Sequence, residues 1–263
     1  MNLRPSILLV PAILLAACAP VSTGDDAAVA QALGAVQPAL EAQSALLVAV
    51  DACEGCDNLQ ELAGFLATEL AACATVRPVD AAESACTRLD GRPAAEVQLS
   101  GCILGFGRPI SGTLLVTQAE GSAVRHFETD LIAGDHGVVA CGEVVGSGRV
   151  HSIAFDAVAH GATGGDVLLA WRGPAWREDD GRSLRAGTLE AQFTGTDGVG
   201  YLVTGEATGL ARAEGDTLPH AGRIAFQGTD GQAAIEFAPE TPTTGGLHLL
   251  RPDGRRETVV VAR

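Results

Sequence analysis

The chain has 263 residues, 47% of them apolar and 19% charged, so it can bury the core of one large domain or two ordinary ones. All 17 basic residues are arginine, which excludes a P-loop lysine, a Schiff-base lysine and a kinase-type phosphate lysine together. A formal net charge of −15 repels phosphate backbones, and no basic stripe offsets it, so nucleic acid is not an expected partner.

At the amino end, Arg4 precedes an apolar run of Ile7, Leu8, Leu9, Val10, Ala12, Ile13 and Leu14, interrupted by Pro11 and followed by Leu15-Ala16-Ala17-Cys18. The run is too short for a permanent membrane span and has the layout of an export signal. Residues 15–18 resemble the lipobox of bacterial lipoproteins, which has Leu three places before a cysteine, small residues between, and Cys at the cut. That resemblance implies removal of residues 1–17 and acylation of Cys18, with residues 18–24 as the lipidated cysteine and its tether. It says nothing about the mature fold. Two or three acyl chains hold a protein firmly where one does not, so the expectation is an exported, water-soluble domain anchored to a membrane. Ala19 rather than Asp follows the cysteine, which by the sorting rule of that family implies the outer membrane, facing the periplasm or the cell surface.

Residues 25–95 read as a helical, cysteine-rich region. Asp25 or Asp26 can cap a helix carrying Val29, Leu33, Val36, Leu40, Leu47 and Val50 at helical spacing, which Pro38 should kink or split. A second helix is expected from about Asn58, its cap, with Glu61 three residues on, and the turn at Cys53 and Cys56 makes the pair a hairpin. The region holds 11 acids against Arg77, Arg88 and Arg92, which reads as acidic, solvated outer helix faces. Six cysteines remain besides Cys18: Cys53, Cys56, Cys73, Cys86, Cys102 and Cys141. An even number in an exported chain points to three disulfides, worth about 2–4 kcal/mol each. Six cysteines allow about fifteen pairings, which sequence does not resolve; the expectation is that Cys53, Cys56, Cys73 and Cys86 pair among themselves and that Cys102 joins Cys141. The Cys53-Glu54-Gly55-Cys56 spacing also suits a redox centre, but it lacks the strand before it that such motifs have.

Residues 96–263 read as an antiparallel β domain. Ala191 and Phe193, Ile224 and Phe226, Ile235 and Phe237, Leu247 and Leu249, and Val259 and Val261 recur at period two. Asp180-Gly181, Asp197-Gly198, Asp230-Gly231 and Asp253-Gly254 punctuate these runs as hairpin turns. Phe193-x-Gly-Thr-Asp-Gly198 recurs as Phe226-x-Gly-Thr-Asp-Gly231, and strand openings after Gly112, Gly148, Gly187 and Gly222 mark a degenerate hairpin repeat. The expected fold is α+β and mainly β: eight to ten strands in an antiparallel meander, forming a sandwich or partly open barrel, with the disulfide-braced helical hairpin against it.

Chemistry-bearing patterns are few. His126, Glu128 and Asp130 alternate along one strand and could hold a metal, though a wetted strand face opposite Phe127 and Leu131 needs polar residues in any case. Asp135-His136 lies between glycines, as a turn does, and His151, His160, His220 and His248 stand isolated. Trp171-Arg172-Gly173-Pro174-Ala175-Trp176-Arg177 places both tryptophans and two arginines about a Gly-Pro turn, a possible binding surface, or a strand end capping the core. No cofactor is expected. The reading is a lipid-anchored envelope protein acting as a non-catalytic structural or interaction module, with an envelope protein as its partner. A carrier of lipid or another apolar ligand is the alternative, and an enzyme with an unfamiliar site the third.

Overall fold

The computed structural model describes residues 26–261, apart from residues 54, 82–83, 85, 87–88, 90, 106, 147–149, 162–164, 178–181, 196–197 and 229. The lipobox, Asp180-Gly181 and Gly148 lie outside the described residues. The chain opens with α1 (Asp26–Ala35) and α2 (Gln37–Asp51), nearly one helix. Pro38 has no N–H to bond the carbonyl one turn back, and the break falls there at Val36, while Val36 N to Ala32 O (3.4 Å) and Leu40 N to Val36 O (3.2 Å) hold the two pieces in line. Then comes α3 (Leu59–Glu69), where Asn58 accepts from the Glu61 backbone at 3.0 Å and the Glu61 carboxylate reaches back to the Asp57 amide at 2.8 Å.

Thirteen strands follow: β1 (Ala74–Asp80), β2 (Pro93–Cys102), β3 (Ile110–Gln118), β4 (Val124–Ala133), β5 (His136–Gly146), β6 (Val150–His160), β7 (Val167–Arg177), β8 (Ser183–Thr194), β9 (Gly200–Arg212), β10 (Ala221–Gln227), β11 (Gln232–Glu236), β12 (Gly246–Leu250) and β13 (Arg256–Val260). They form one sheet in chain order, every neighbour antiparallel, with α4 (Thr241–Thr244) between β11 and β12. Laid flat, thirteen strands at about 4.8 Å would be roughly 58 Å wide, whereas α2 is only about 22 Å long. Yet α2 packs on β4, β5 and β6, α1 packs on β11, β12 and β13, and Glu41 of α2 meets residues of β8 and β9. The sheet therefore curls around the helix.

Alternation puts one face of every long strand into this interior. Phe127, Leu131, Phe155, Leu189, Phe193, Ile224 and Phe226 form a continuous core with Leu33, Leu46, Leu47 and Val50 of the helix. The curl requires close strand approach at two register shifts. A methyl group on Gly173 would lie 2.5 Å from the Gly187 Cα, and one on Gly222, whose φ is +101°, would lie 2.4 Å from the Gly209 carbonyl oxygen.

Several expectations change. The sheet has thirteen strands rather than eight to ten, and Gly112, Gly187 and Gly222 sit inside strands rather than opening them. β1 lies in the region read as helical and pairs with β2 from Ala74↔Leu99 to Asp80↔Pro93, so the two regions share one sheet. Its half-exposed face and Pro78 suit an edge strand, which carries little apolar alternation to be read. Gly173-Pro174 is not a turn either. It runs through β7 where the ladder to β8 is interrupted between Arg172↔Thr188 and Ala175↔Arg185, so the missing proline N–H leaves no gap there.

The disulfides are Cys53–Cys56, Cys73–Cys102 and Cys86–Cys141. The expected Cys102–Cys141 link does not form because the two lie on opposite faces: Cys102 belongs to the interior, and Cys141 to a small outer cluster with Cys86, Leu89 and Ala81. Pairing of β1 with β2 brings Cys73 to the end of β2, with its Cα 5.2 Å from that of Cys102. Proteolysis of the unreduced protein followed by mass spectrometry should recover these three linked pairs and no free thiol; a peptide joining Cys102 to Cys141 would contradict the fold.

Candidate functional site

The most concentrated chemistry in the molecule is inside the sheet, on α2. Glu41 and Asp51 are 1% exposed, and Gln37 and Gln43 are equally hidden, so the helix face read as acidic and solvated is buried instead. Charge in an apolar interior must be paired or neutralised, and the sheet supplies the partners. The Arg125 guanidinium, from β4, donates to Asp51 Oδ1 at 3.1 Å, to the Val50 carbonyl at 2.9 Å, to the Cys53 carbonyl at 3.0 Å and to Gln118 Oε1 at 3.3 Å. It thereby caps carbonyls at the C-terminal end of α2, where positive charge is favoured by the helix dipole. Burial pushes Arg125 below its ordinary pKa, and Asp51 opposes that shift. His151 of β6 places Nδ1 3.0 Å from Asp51 Oδ2.

Nearly three helical turns earlier, Glu41 is held by Gln37 (2.9 Å), by Arg185 of β8 and by Arg212 Nε of β9 (3.3 Å). Arg185 also lies over the Trp171 ring, 5.3 Å from its centroid. Thr129 of β4 donates to Gln43 at 2.8 Å. At the start of α1 the buried Asp26 lies 3.7 Å from Arg251, which also forks onto Glu257 at 2.9 Å and holds that exposed carboxyl below the usual range. Three carboxylates along one helix thus each meet arginine from the sheet.

The residues singled out in the sequence are placed elsewhere. His126, Glu128 and Asp130 line the outer face of β4, as expected from alternation, but two of them serve locally: His126 Nδ1 is 3.6 Å from Glu143, and Glu128 accepts from the Ser84 hydroxyl and the Cys86 amide. Among the described residues no group of three or more His, Cys, Asp or Glu is arranged to hold a metal ion. Trp171 points inward at 2% exposure while Trp176 is on the outer face, opposite Val150 and Leu184, so the two do not form one platform. Arg172 bonds Asp156 at 2.7 Å and two carbonyls; the side chain of Arg177 lies outside those described. Asp135 is in the β4–β5 turn, and His136 opens β5 fully buried. His151, read as isolated, is the one histidine in the interior cluster with Asp51.

Sequence reasoning missed Glu41, Asp51, Arg125, His151, Arg185 and Arg212. A signal was available for three of them: Arg125 shares the parity of Phe127 and Leu131, His151 that of Ile153 and Phe155, and Arg185 that of Leu189, Ala191 and Phe193, the core faces of their strands. The Asp51–His151 pair has the spacing of an acid–base dyad, but at 1% and 3% exposure it is out of reach of a dissolved substrate. Beside Arg212, a cavity of about 210 Å³ is walled by Ala45, Val48, Phe65, Leu104 and Ser183. That is smaller than the roughly 300–1,000 Å³ of typical small-molecule sites. An open depression near Arg108, Asp216 and Thr217 spans about 560 Å³. No family model, curated protein or solved structure matches this chain.

Removing one member of a buried pair strands the other. Asp51→Asn should cost about 3–5 kcal/mol in denaturant unfolding, and adding Arg125→Met should recover part of that loss. Unchanged stability for Asp51→Asn would show that the interior charges are not coupled as described.

Proposed function

We propose that this chain is an exported lipoprotein held at the cell envelope, at the outer membrane, by acylated Cys18, and that its folded part is a rigid, non-catalytic module for interaction with an envelope protein. The single observation that favours this over a carrier is the filled interior. The concave face of a curled sheet is where an apolar ligand would sit, and here that face is covered by the chain's own helix, of which an 18-residue apolar stretch is 89% buried, fastened by ion pairs. Three disulfides suit an oxidising compartment and a fold that works outside the cytoplasm.

The helix over residues 26–51 is long enough to cross a membrane and contains an 18-residue stretch of mean hydropathy 1.3. Glu41 and Asp51 argue for the sheet as their surroundings, since in hydrocarbon they would have no arginine beside them. The anchor in this reading is the lipid, not the helix. The carrier reading keeps one supporting feature, the cavity between α2 and α3, whose walls include Glu69, Arg212 and Glu214 beside the apolar residues and which would have to widen to admit an acyl chain.

The reading is tested by Cys18→Ser, which should move the protein from the membrane to the soluble fraction without lowering its melting temperature, because the attachment energy resides in the acyl chains. Native mass spectrometry of the released protein should find no bound lipid. Membrane retention of Cys18→Ser would contradict the anchor, and a stoichiometric lipid would replace the interaction module with the carrier.

A further inference from the structure

The helix start fixes which end of the sheet is closest to the anchor. Asp26 is buried against the β10–β11 turn, where a methyl group on Gly228 would be 2.4 Å from its carboxylate, and it approaches Arg251 at the end of β12. Only residues 19–25 separate it from Cys18. Seven residues reach about 25 Å at full extension. The rim formed by the β8–β9, β10–β11 and β12–β13 turns is therefore held near whatever surface holds the lipid.

Two further features single out one part of that rim. The β8–β9 hairpin projects beyond its neighbour: β10 pairs with β9 only as far as Phe226↔Gly205, and β9 begins five residues earlier at Gly200. At about 3.4 Å per residue the tip stands roughly 17 Å beyond that pair, which is within the reach of the tether. The hairpin and the adjoining start of β7 also carry exposed apolar side chains. Leu168 and Leu202 are 46% and 45% exposed, flank Gln192 on the outer face, and lie near Val199 in the turn, which is 39% exposed. Exposed carboxylates stand at both ends of the strands, Asp166, Asp230 and Asp253 at this rim and Glu120, Glu214 and Glu240 at the other, so charge does not distinguish the two ends.

The geometry points to a membrane-contacting surface: the projecting β8–β9 hairpin, with Val199 and Leu202, and the adjoining start of β7, with Leu168, rest in the interface of the same bilayer that holds the Cys18 lipid. This inference rests on the lipoprotein reading above. The lipid supplies the binding energy, and the hairpin tip supplies a second contact that fixes orientation. A partner protein would then meet the rim or the outer face distant from the membrane.

The test uses the full lipidated protein in vesicles of phosphatidylethanolamine and phosphatidylglycerol, with and without brominated acyl chains. Flotation reports the anchor, and tryptophan quenching reports the face. In the wild type, Trp171 is buried and Trp176 lies towards the other end of β7, so brominated lipid should leave emission unchanged. Leu202→Trp should add a blue-shifted component that brominated lipid quenches; Leu168→Trp, on the same face, serves if the first variant fails to fold. Protein that floats while the added emission is unquenched, or wild-type emission that is quenched, overturns this orientation and leaves the anchor standing. Protein that does not float overturns the anchor and the orientation with it.

Discussion

Burying a charged helix inside a sheet is the constraint on which the rest of this structure depends. An apolar helix could occupy the curled interior in many rotations and registers, because dispersion and burial are non-directional. Glu41 and Asp51 remove that freedom. Each carboxylate must find its arginine, and Arg125, Arg185 and Arg212 sit on strands far apart in sequence. Satisfying them sets the axial position of α2, its rotation, and the curvature of β4 through β9 together. The exclusive use of arginine is consistent with this role, since the planar, weakly hydrated guanidinium forks onto a carboxylate and onto backbone carbonyls at the same time. Arg125 does both at the end of α2.

A sheet of thirteen strands in chain order has two edges to protect. Among the described pairings β1 and β13 have one neighbour each. β1 carries Pro78 and Arg77, with α3 packed over it, and β13 carries Arg256, Glu257 and Thr258 along its length. Proline and charge at an edge discourage pairing with another chain. Disulfides reinforce the first edge in particular, tying the start of β1 to β2 through Cys73–Cys102 and the following loop to β5 through Cys86–Cys141. The β1 edge is thus stapled covalently, and the rest of the sheet is held by its core.

The sheet was legible because alternation and Asp-Gly turns are local signals. Phe193, Ile224, Phe226, Ile235 and Phe237 all face the interior as their spacing requires. Gly198 and Gly254 adopt positive φ in the hairpin connections that their Asp-Gly pairs mark. Strand count was less legible, since β1 and β7 contain prolines at positions tolerated only because of an edge and a ladder break that tertiary structure creates. The interior ion network was hidden for a related reason. Acidic residues on a helix ordinarily mean a wet face, and nothing within residues 25–95 reveals that Glu41 has partners 144 residues away in β8 and further on in β9. Long-range charge pairing leaves no local period. The cysteine connectivity failed similarly, because proximity in sequence does not show which face of a sheet a cysteine occupies.

The central claim is that α2 is an integral part of the core and not a removable plug. Native-state amide hydrogen exchange measures this directly, by comparing the opening free energy of α2 with those of β4 through β9. If the ion network and shared core bind helix and sheet into one unit, amides between Leu40 and Leu47 will exchange only with global unfolding, at the same free energy as the slowest strand amides. Exchange of α2 at a distinctly lower free energy, while the strands stay protected, would contradict the account: it would mean that the helix can leave the sheet and open its concave face.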